Sequence, residues 1–299
     1  MKKLFRWLIV AFLVSSLLGL SAVGVAWWLY GKDLPDVESL REVQLQVPLR
    51  VFTADGQLIG VFGEKRRIPV SLDDLPDCLA PAFIAGEDAR FYEHPGVDYQ
   101  GLTRAAWSLL TTGEKSIGGS TITQQLARNF FLTTEKTFTR KIKEIFLALR
   151  IERELQKDQI LELYMNKIFL GYRAYGVGAA AEVYYGKSPD QLSLAQCAMI
   201  AALPKAPSRI NPITSPERAV ERRDYVLGRM LELGYVDQAD FEAAIRETDR
   251  AYYHGAIADV SAPYVAEMVR AQVLEMLGAD AYTGGYEVFT TIDSRLQTA

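Results

Sequence analysis

Cysteine and histidine are nearly missing from this chain of 299 residues, which holds only Cys78, Cys197, His94 and His254. Two cysteines cannot build a disulfide framework, and so few Cys and His side chains give no metal-ligand spacing. The pair reads as two buried thiols in preference to a single Cys78–Cys197 disulfide. A long basic run is missing too. Lys and Arg number 33 against 37 Asp and Glu, a net charge of -4, which argues against a nucleic-acid partner. There is no internal repeat and no low-complexity tract. With 49% hydrophobic and 23% charged residues, the chain can bury the core of one or two domains.

What is present begins with an apolar run. Lys2, Lys3 and Arg6 precede residues 7–30, which carry no charge and suffice for a bilayer crossing of about 20 residues. The positive flank predicts a cytoplasmic tail over 1–6, a transmembrane helix over 7–30, and everything after Tyr30 outside. Trp27, Trp28 and Tyr30 form an aromatic anchor at the outer interface. A cleaved signal peptide is the rival reading, because Ser21 to Ala26 holds small residues, but the length and the aromatic end favour an uncleaved anchor. Residues 31–48 read as a connector. Leu49, Val51 and Thr53, then Asp55-Gly56, then Leu58, Gly60 and Phe62 predict a β-hairpin. From Leu75 onwards the pattern is helical, punctuated by glycine and proline.

The stretch AGEDARFYEHPG, Ala85 to Gly96, concentrates chemistry. A helix over Leu79 to Tyr92 places Phe83, Glu87 and Phe91 on one face, which sets an acid among residues that favour burial. Its pKa is expected to rise, the profile of a general acid or base. Pairing of Glu87 with Arg90 at i+3 on a solvated face explains the same spacing, so this stretch alone leaves both readings open. Asp88 shares the face of Ile84 and Tyr92 and reads as the residue that sets the environment of Glu87. Val97 to Thr112, with Tyr99, Leu102, Trp107, Leu109 and Leu110, is either a core helix or a mobile flap whose apolar side dips into the membrane surface.

Gly118 to Asn129, GGSTITQQLARN, starts a capped helix whose first N–H groups can hold an anion. Gln124, Gln125, Arg128 and Asn129 then present donors for sugar or diphosphate oxygens. Thr139 to Arg153 has an expected buried stripe of Ile142, Ile145, Phe146 and Leu149. Glu144 can meet Arg140 at i+4 or Lys141 at i+3, a solvated ion-pair face or, with Arg128, a cationic clamp. Lys157 to Gly171 and Ser193 to Ala202 read as further helices, followed by the rigid loop LPKAPSRINP and by Arg222-Arg223 leading into the last helix of the body.

Taken in order, GEDARFYEHPG, GGSTITQQLARN, RKIKE at Arg140 to Glu144, KDQILELYMNKIFLG with GVGAAAEVYYGK, and ALPKAPSRINP with RR-x-x-VL resemble the membrane-anchored peptidoglycan glycosyltransferases, the polymerase modules of class A penicillin-binding proteins. The resemblance covers roughly Leu49 to Tyr235. Arg128 stands where the family usually has Lys, which keeps the charge and changes its geometry. The fold this implies is mainly α: a lysozyme-like glycosyltransferase domain over 49–245, a small membrane-proximal flap at about 97–120, a short β-hairpin and one N-terminal transmembrane helix. Glu287 to Asp293 (EVFTTID) resembles the start of the linker to a transpeptidase domain, yet no Ser-x-x-Lys or Lys-Thr-Gly occurs. Residues 246–299 therefore read as linker and start of a missing transpeptidase domain, with part of Ala251 to Ala299 lacking fixed structure.

By the same resemblance Glu87 is the catalytic base and Glu144 the second essential acid. Asp88, Phe91, His94, Thr121, Gln125, Arg128, Asn129, Arg140 and Lys141 bind substrate. The implied reaction polymerises lipid II: the 4-hydroxyl of a GlcNAc attacks the anomeric carbon of a MurNAc, inverting it as undecaprenyl diphosphate leaves. The resemblance fixes no cofactor requirement and leaves a place for a divalent cation, Mg or Mn, at the diphosphate. The partners implied are lipid II, the nascent glycan strand, the inner membrane, and cell-wall synthesis and regulatory proteins, with the catalytic domain in the periplasm. The rivals are a lysozyme-like hydrolase or lytic transglycosylase, which has no diphosphate to hold, and a non-catalytic membrane scaffold.

Overall fold

The computed structural model describes residues 2–298 apart from 33, 39, 41–44, 64, 113–118, 133–136, 256 and 257. Gly118 and the end of the expected flap, 113–118, thus lie outside the described residues. The chain forms two compact units, Met1–Glu42 with His94–Gln156 and Val43–Glu93 with Lys157–Ala299.

In the first unit α1 (Lys2–Tyr30) runs unbroken for 29 residues. Among the described residues no helix is long and apolar enough to cross a membrane. The expected span at 7–30 lies within α1. Trp27 near its end meets Phe146 edge to face, ring centroids 5.1 Å apart. α3 spans Tyr99–Thr112. Its Tyr99, Leu102, Trp107 and Leu110 are exposed, so these residues are not core; the side chain of Leu109 lies outside the described set.

The helices α4 (Ile122–Phe131) and α5 (Phe138–Glu154) pack together through Ile122, Leu126, Leu147 and Ile151, all fully buried. The stripe of α5 is rotated from the expected one. Its buried residues are Glu144, Phe146, Leu147, Ala148 and Ile151, while Ile142, Ile145 and Leu149 are half-buried. Positions 144, 147, 148 and 151 follow helical spacing, so packing against α4 takes a carboxylate inside as part of that face.

In the second unit the hairpin forms as expected. β1 (Leu49–Phe52) and β2 (Leu58–Phe62) pair antiparallel, Leu49 opposite Phe62, across a turn where Gly56 has φ of 84°. The helical core is built by α2 (Leu79–Glu87), α6 (Lys157–Lys167), α7 (Val177–Tyr185), α8 (Leu194–Ala202) and α9 (Pro216–Glu232), with α10 (Gln238–Arg246) beside α9. Phe83 and Tyr164, both fully buried, meet edge to face at 6.0 Å. α2 is shorter than the expected 79–92: it stops at Glu87, and Asp88 leaves helical geometry with φ of -157°. Phe91 is still buried, through a turn in which its N–H donates to the carbonyl of Asp88 at 2.9 Å.

Cys78 and Cys197 are joined in a disulfide, with Cα atoms 6.0 Å apart, which corrects the reading of two thiols. Cys78 caps α2 and Cys197 is buried in α8, and the packing of these two helices brings together residues 119 apart. Residues 246–299 are also more ordered than expected. α11 (Pro263–Leu277) lays Ala266, Val269 and Val273 over Leu49, Val51 and Ile59 of the sheet. β3 (Glu287–Phe289) pairs parallel to β1, giving the order β2-β1-β3, and α12 (Ser294–Thr298) closes the chain.

Candidate active site

In the first unit the functional side chains gather between α4 and α5. Thr121 caps α4: its Oγ1 accepts from the N–H of Gln124 at 3.2 Å, and the Gln124 side chain returns the bond to the Thr121 N–H. One N–H of the helix start, expected to be open to an anion, is therefore already taken. The Thr121 hydroxyl also donates to the carbonyl of Gly96 at 2.6 Å. Gly96 has φ of 90°, and a Cβ there would lie 2.9 Å from Glu152 Cγ and 3.0 Å from the carbonyl of Ala148, so only glycine fits. His94, buried, accepts from the Gly96 N–H through Nδ1 at 3.2 Å. The His-Pro-Gly end of the first motif is thus stapled to the second motif and to α5.

Glu144 is 1% exposed and stands at the centre of a charge network. Lys141 Nζ donates to Glu144 Oε2 at 3.0 Å, Ser120 Oγ at 2.8 Å and Gln124 Oε1 at 3.1 Å. Arg140 Nη1 lies 2.9 Å from Glu144 Oε1 as an ion pair without hydrogen-bond alignment, and Arg140 Nε is buried without a partner. Burial of a carboxylate is costly unless it is paired, and two cations repay it here. Glu144 is therefore not part of a solvated face. Glu144 fixes both cations: the three donors of Lys141 are taken by Glu144, Ser120 and Gln124, while Arg140 keeps an unpartnered Nε. Gln125 is buried, while Arg128 and Asn129 are half-buried in the last turn of α4. Among the described residues no group of three or more His, Cys, Asp or Glu is arranged to hold a metal.

In the second unit Glu87 ends α2, half-buried, with Asp88 buried beside it. Arg222 Nη2 of α9 donates to the carbonyl of Gly86 at 3.4 Å, and a Cβ at Gly86 would meet Val226 Cγ2 at 3.2 Å. The backbone that presents Glu87 is thus packed directly on α9. The start of α6 holds the turn that follows: Lys157 Nζ sits 4.4 Å from the centre of the Phe91 ring, and the Tyr92 hydroxyl donates to Asp158 Oδ1 at 2.8 Å. Burial and that hydrogen bond push the Tyr92 hydroxyl up to about 12. Arg90 pairs with Glu93 at 2.7 Å.

Sequence reasoning placed Thr121, Lys141, Arg140 and Glu144 in one neighbourhood, and the structure brings them together. It passed over Ser120, Lys157 and Asp158 as site-building residues, and it gave Gln124 no part in holding Lys141. The Thr-x-x-Gln capping pattern at 121–124 was a usable signal for Gln124; the others have none short of the fold.

A family model described as Transglycosylase matches residues 55–231, more than half of the chain. The chain belongs to the transglycosylase family. It is 53% identical over 298 residues to Penicillin-binding protein 1A of Vibrio cholerae, covering 99% of this chain and 36% of that protein. To Penicillin-binding protein 1A of Escherichia coli it is 52% identical over 297 residues, covering 99% and 35%. The crystal structure of Penicillin-binding protein 1A from Haemophilus influenzae aligns with a TM-score of 0.49 at 38% identity, over 86% of this chain and 28% of that one. The chain spans about a third of the length of these relatives.

Proposed function

We propose that this chain is a peptidoglycan glycosyltransferase that polymerises lipid II into β-1,4-linked glycan, with a lysozyme-like helical body over about 49–245. The observation that carries the reading is the buried Glu144 holding Lys141 and Arg140. A glycan-cleaving enzyme has no diphosphate to neutralise, whereas a polymerase must stabilise one as it departs. In this reading Glu87 takes the proton of the attacking 4-hydroxyl as the new C–O bond forms at the anomeric carbon. The old C–O bond breaks with its electron pair going to the diphosphate, whose charge Lys141, Arg140 and Arg128 balance. Asp88, Phe91, His94, Thr121, Gln125 and Asn129 shape and orient the substrate.

The same reading makes α1 a single inner-membrane anchor, with residues 1–6 cytoplasmic and the catalytic part periplasmic. Its support is the uncharged stretch 7–30 and the exposure of Trp7, Leu13, Leu17, Leu18 and Trp28. The exposed apolar residues of α3 support a flap that touches the same surface. The test is to mix detergent-solubilised protein with lipid II and look for glycan polymer. Glu87→Gln is expected to lower the rate by at least about 100-fold, the low end for a lost general base. Polymer made at an unchanged rate by that variant removes Glu87 as the base, and shortening of pre-made glycan selects the lytic reading.

A further inference from the structure

The stretch that follows α1 and the last turns of α5 form a cleft in the first unit that the glycosyl-transfer reading does not use. Its volume is about 280 Å³, and Asp36, Val37, Glu38, Arg150, Arg153 and Glu154 line it. Trp27, near the end of α1, packs on Phe146 of α5, and Arg150 and Arg153 follow Phe146 at i+4 and i+7 on the same helix stripe. At 1.5 Å per residue they stand about 6 and 10 Å farther along α5 than that contact. The polar headgroup layer on one side of a bilayer is about 5–8 Å deep, a similar distance. The reading of α1 as a membrane anchor, on which this inference rests, thus puts the cleft beside lipid headgroups.

The cleft carries charges of both signs that are not joined to one another. The side chains of Arg150, half-buried, and Arg153, exposed, form no hydrogen bond or ion pair among the described residues. Glu38 lines the same space from the connector. Its own backbone holds it there: its N–H donates to Asp36 Oδ1 at 3.0 Å, and the buried Val37 and Leu40 fix the turn on either side. Cations near the end of α5 favour the helix terminus, which accounts for the arginines and not for an acid across an open cleft. A direct pair between Glu38 and either arginine would close the gap. None forms, so both signs are left to a ligand that carries both.

We propose that this cleft binds a zwitterionic phospholipid headgroup of the phosphoethanolamine class, with its phosphate on Arg150 and Arg153 and its ammonium on Glu38. The guanidinium fork matches a pair of phosphate oxygens. Three acids line the cleft against two arginines, which disfavours a headgroup of net negative charge. None of the lining side chains is aromatic, so a quaternary ammonium finds no cation–π partner, whereas a primary ammonium donates hydrogen bonds to a carboxylate. The volume lies just under the range of about 300–1,000 Å³ that holds a drug-sized ligand, which suits a headgroup.

The test titrates the whole detergent-solubilised chain with dihexanoyl phosphatidylethanolamine, phosphatidylcholine or phosphatidylglycerol and follows the thermal midpoint. The expected result is a saturable rise with phosphatidylethanolamine, at an apparent affinity about tenfold or more above that for either other lipid. Arg150→Gln and Arg153→Gln are each expected to weaken that binding about tenfold, while Glu38→Gln erases the preference over phosphatidylcholine. Arg246→Gln, which removes an exposed cation from the end of α10, leaves the response unchanged. No saturable response, or equal affinity for all three lipids, overturns the proposal, as does a preference that survives the Arg150, Arg153 and Glu38 variants. Flotation with phosphatidylcholine vesicles tests the anchor separately. A chain that floats without headgroup preference keeps its anchor and loses this site, and a chain that does not float loses both.

Discussion

Glu144 shows how much one residue's surroundings change its meaning. At i+3 and i+4 from two cations it has the spacing of an ordinary surface pair, worth a few tenths of a kcal/mol. Inside the α4–α5 packing it is a buried anion with two partners. Glu144→Gln strands Lys141 and Arg140, and the expected loss is toward the lower end of about 3–5 kcal/mol, since the Lys141 side chain is 38% exposed. Chemical denaturation measures it, and an unchanged midpoint returns the triad to the solvated-face reading. Lys167 makes a prediction of opposite sign. Burial first, then Arg67 and Lys65, hold its folded value at about 8, below the unfolded 10.5, so between these the unfolded chain holds a proton that the folded chain has released. Stability is therefore expected to rise as pH passes from about 8 toward 10.5 and to stay flat in this contribution below 8. Lys167→Gln should remove that slope in melts taken across the window.

At the scale of elements, the hairpin was legible because Asp55-Gly56 is a local turn signal between alternating apolar residues. The end of α2 was not. Spacing continued the helix to Tyr92, but the chain breaks after Glu87 and buries Phe91 by a turn, an outcome set by packing against α9 and the start of α6. The buried stripe of α5 failed for a similar reason: periodicity marks a face, and tertiary packing chooses where its centre lies. Half of the site was legible, the half where partners are three or four residues apart. Ser120 and Lys141, 21 apart, are not a sequence pattern. The disulfide is a third non-local feature, and it constrains the helix that carries Glu87. Closing a loop of this length contributes up to about 5 kcal/mol in the chain-entropy view. Reductant is expected to lower the thermal midpoint of the native chain and leave a Cys78→Ser, Cys197→Ser double variant unmoved; equal midpoints with and without reductant show the bond to be energetically silent.

For the molecule as a whole, apolar side chains on α1 and α3 remain exposed, where a water-facing surface avoids them. The chain has four tryptophans, Trp7, Trp27, Trp28 and Trp107. With the first three changed to Phe, Trp107 reports on α3 alone. Its fluorescence is expected to shift to the blue and be quenched by a lipid-borne quencher when vesicles are added, and an unshifted spectrum removes the flap from the membrane surface. The parallel pairing of β1 with β3 matters in a different way. Arg50 and Glu287 stand 237 residues apart, so one side of β1 has no partner until the strand around Glu287 has been synthesised. At about 5–20 residues per second the ribosome needs on the order of 10–50 s to cover that distance. Throughout that interval the nascent chain carries an open strand edge, a template for pairing with a neighbouring polypeptide, so translation speed sets how long aggregation can compete with closure of this sheet.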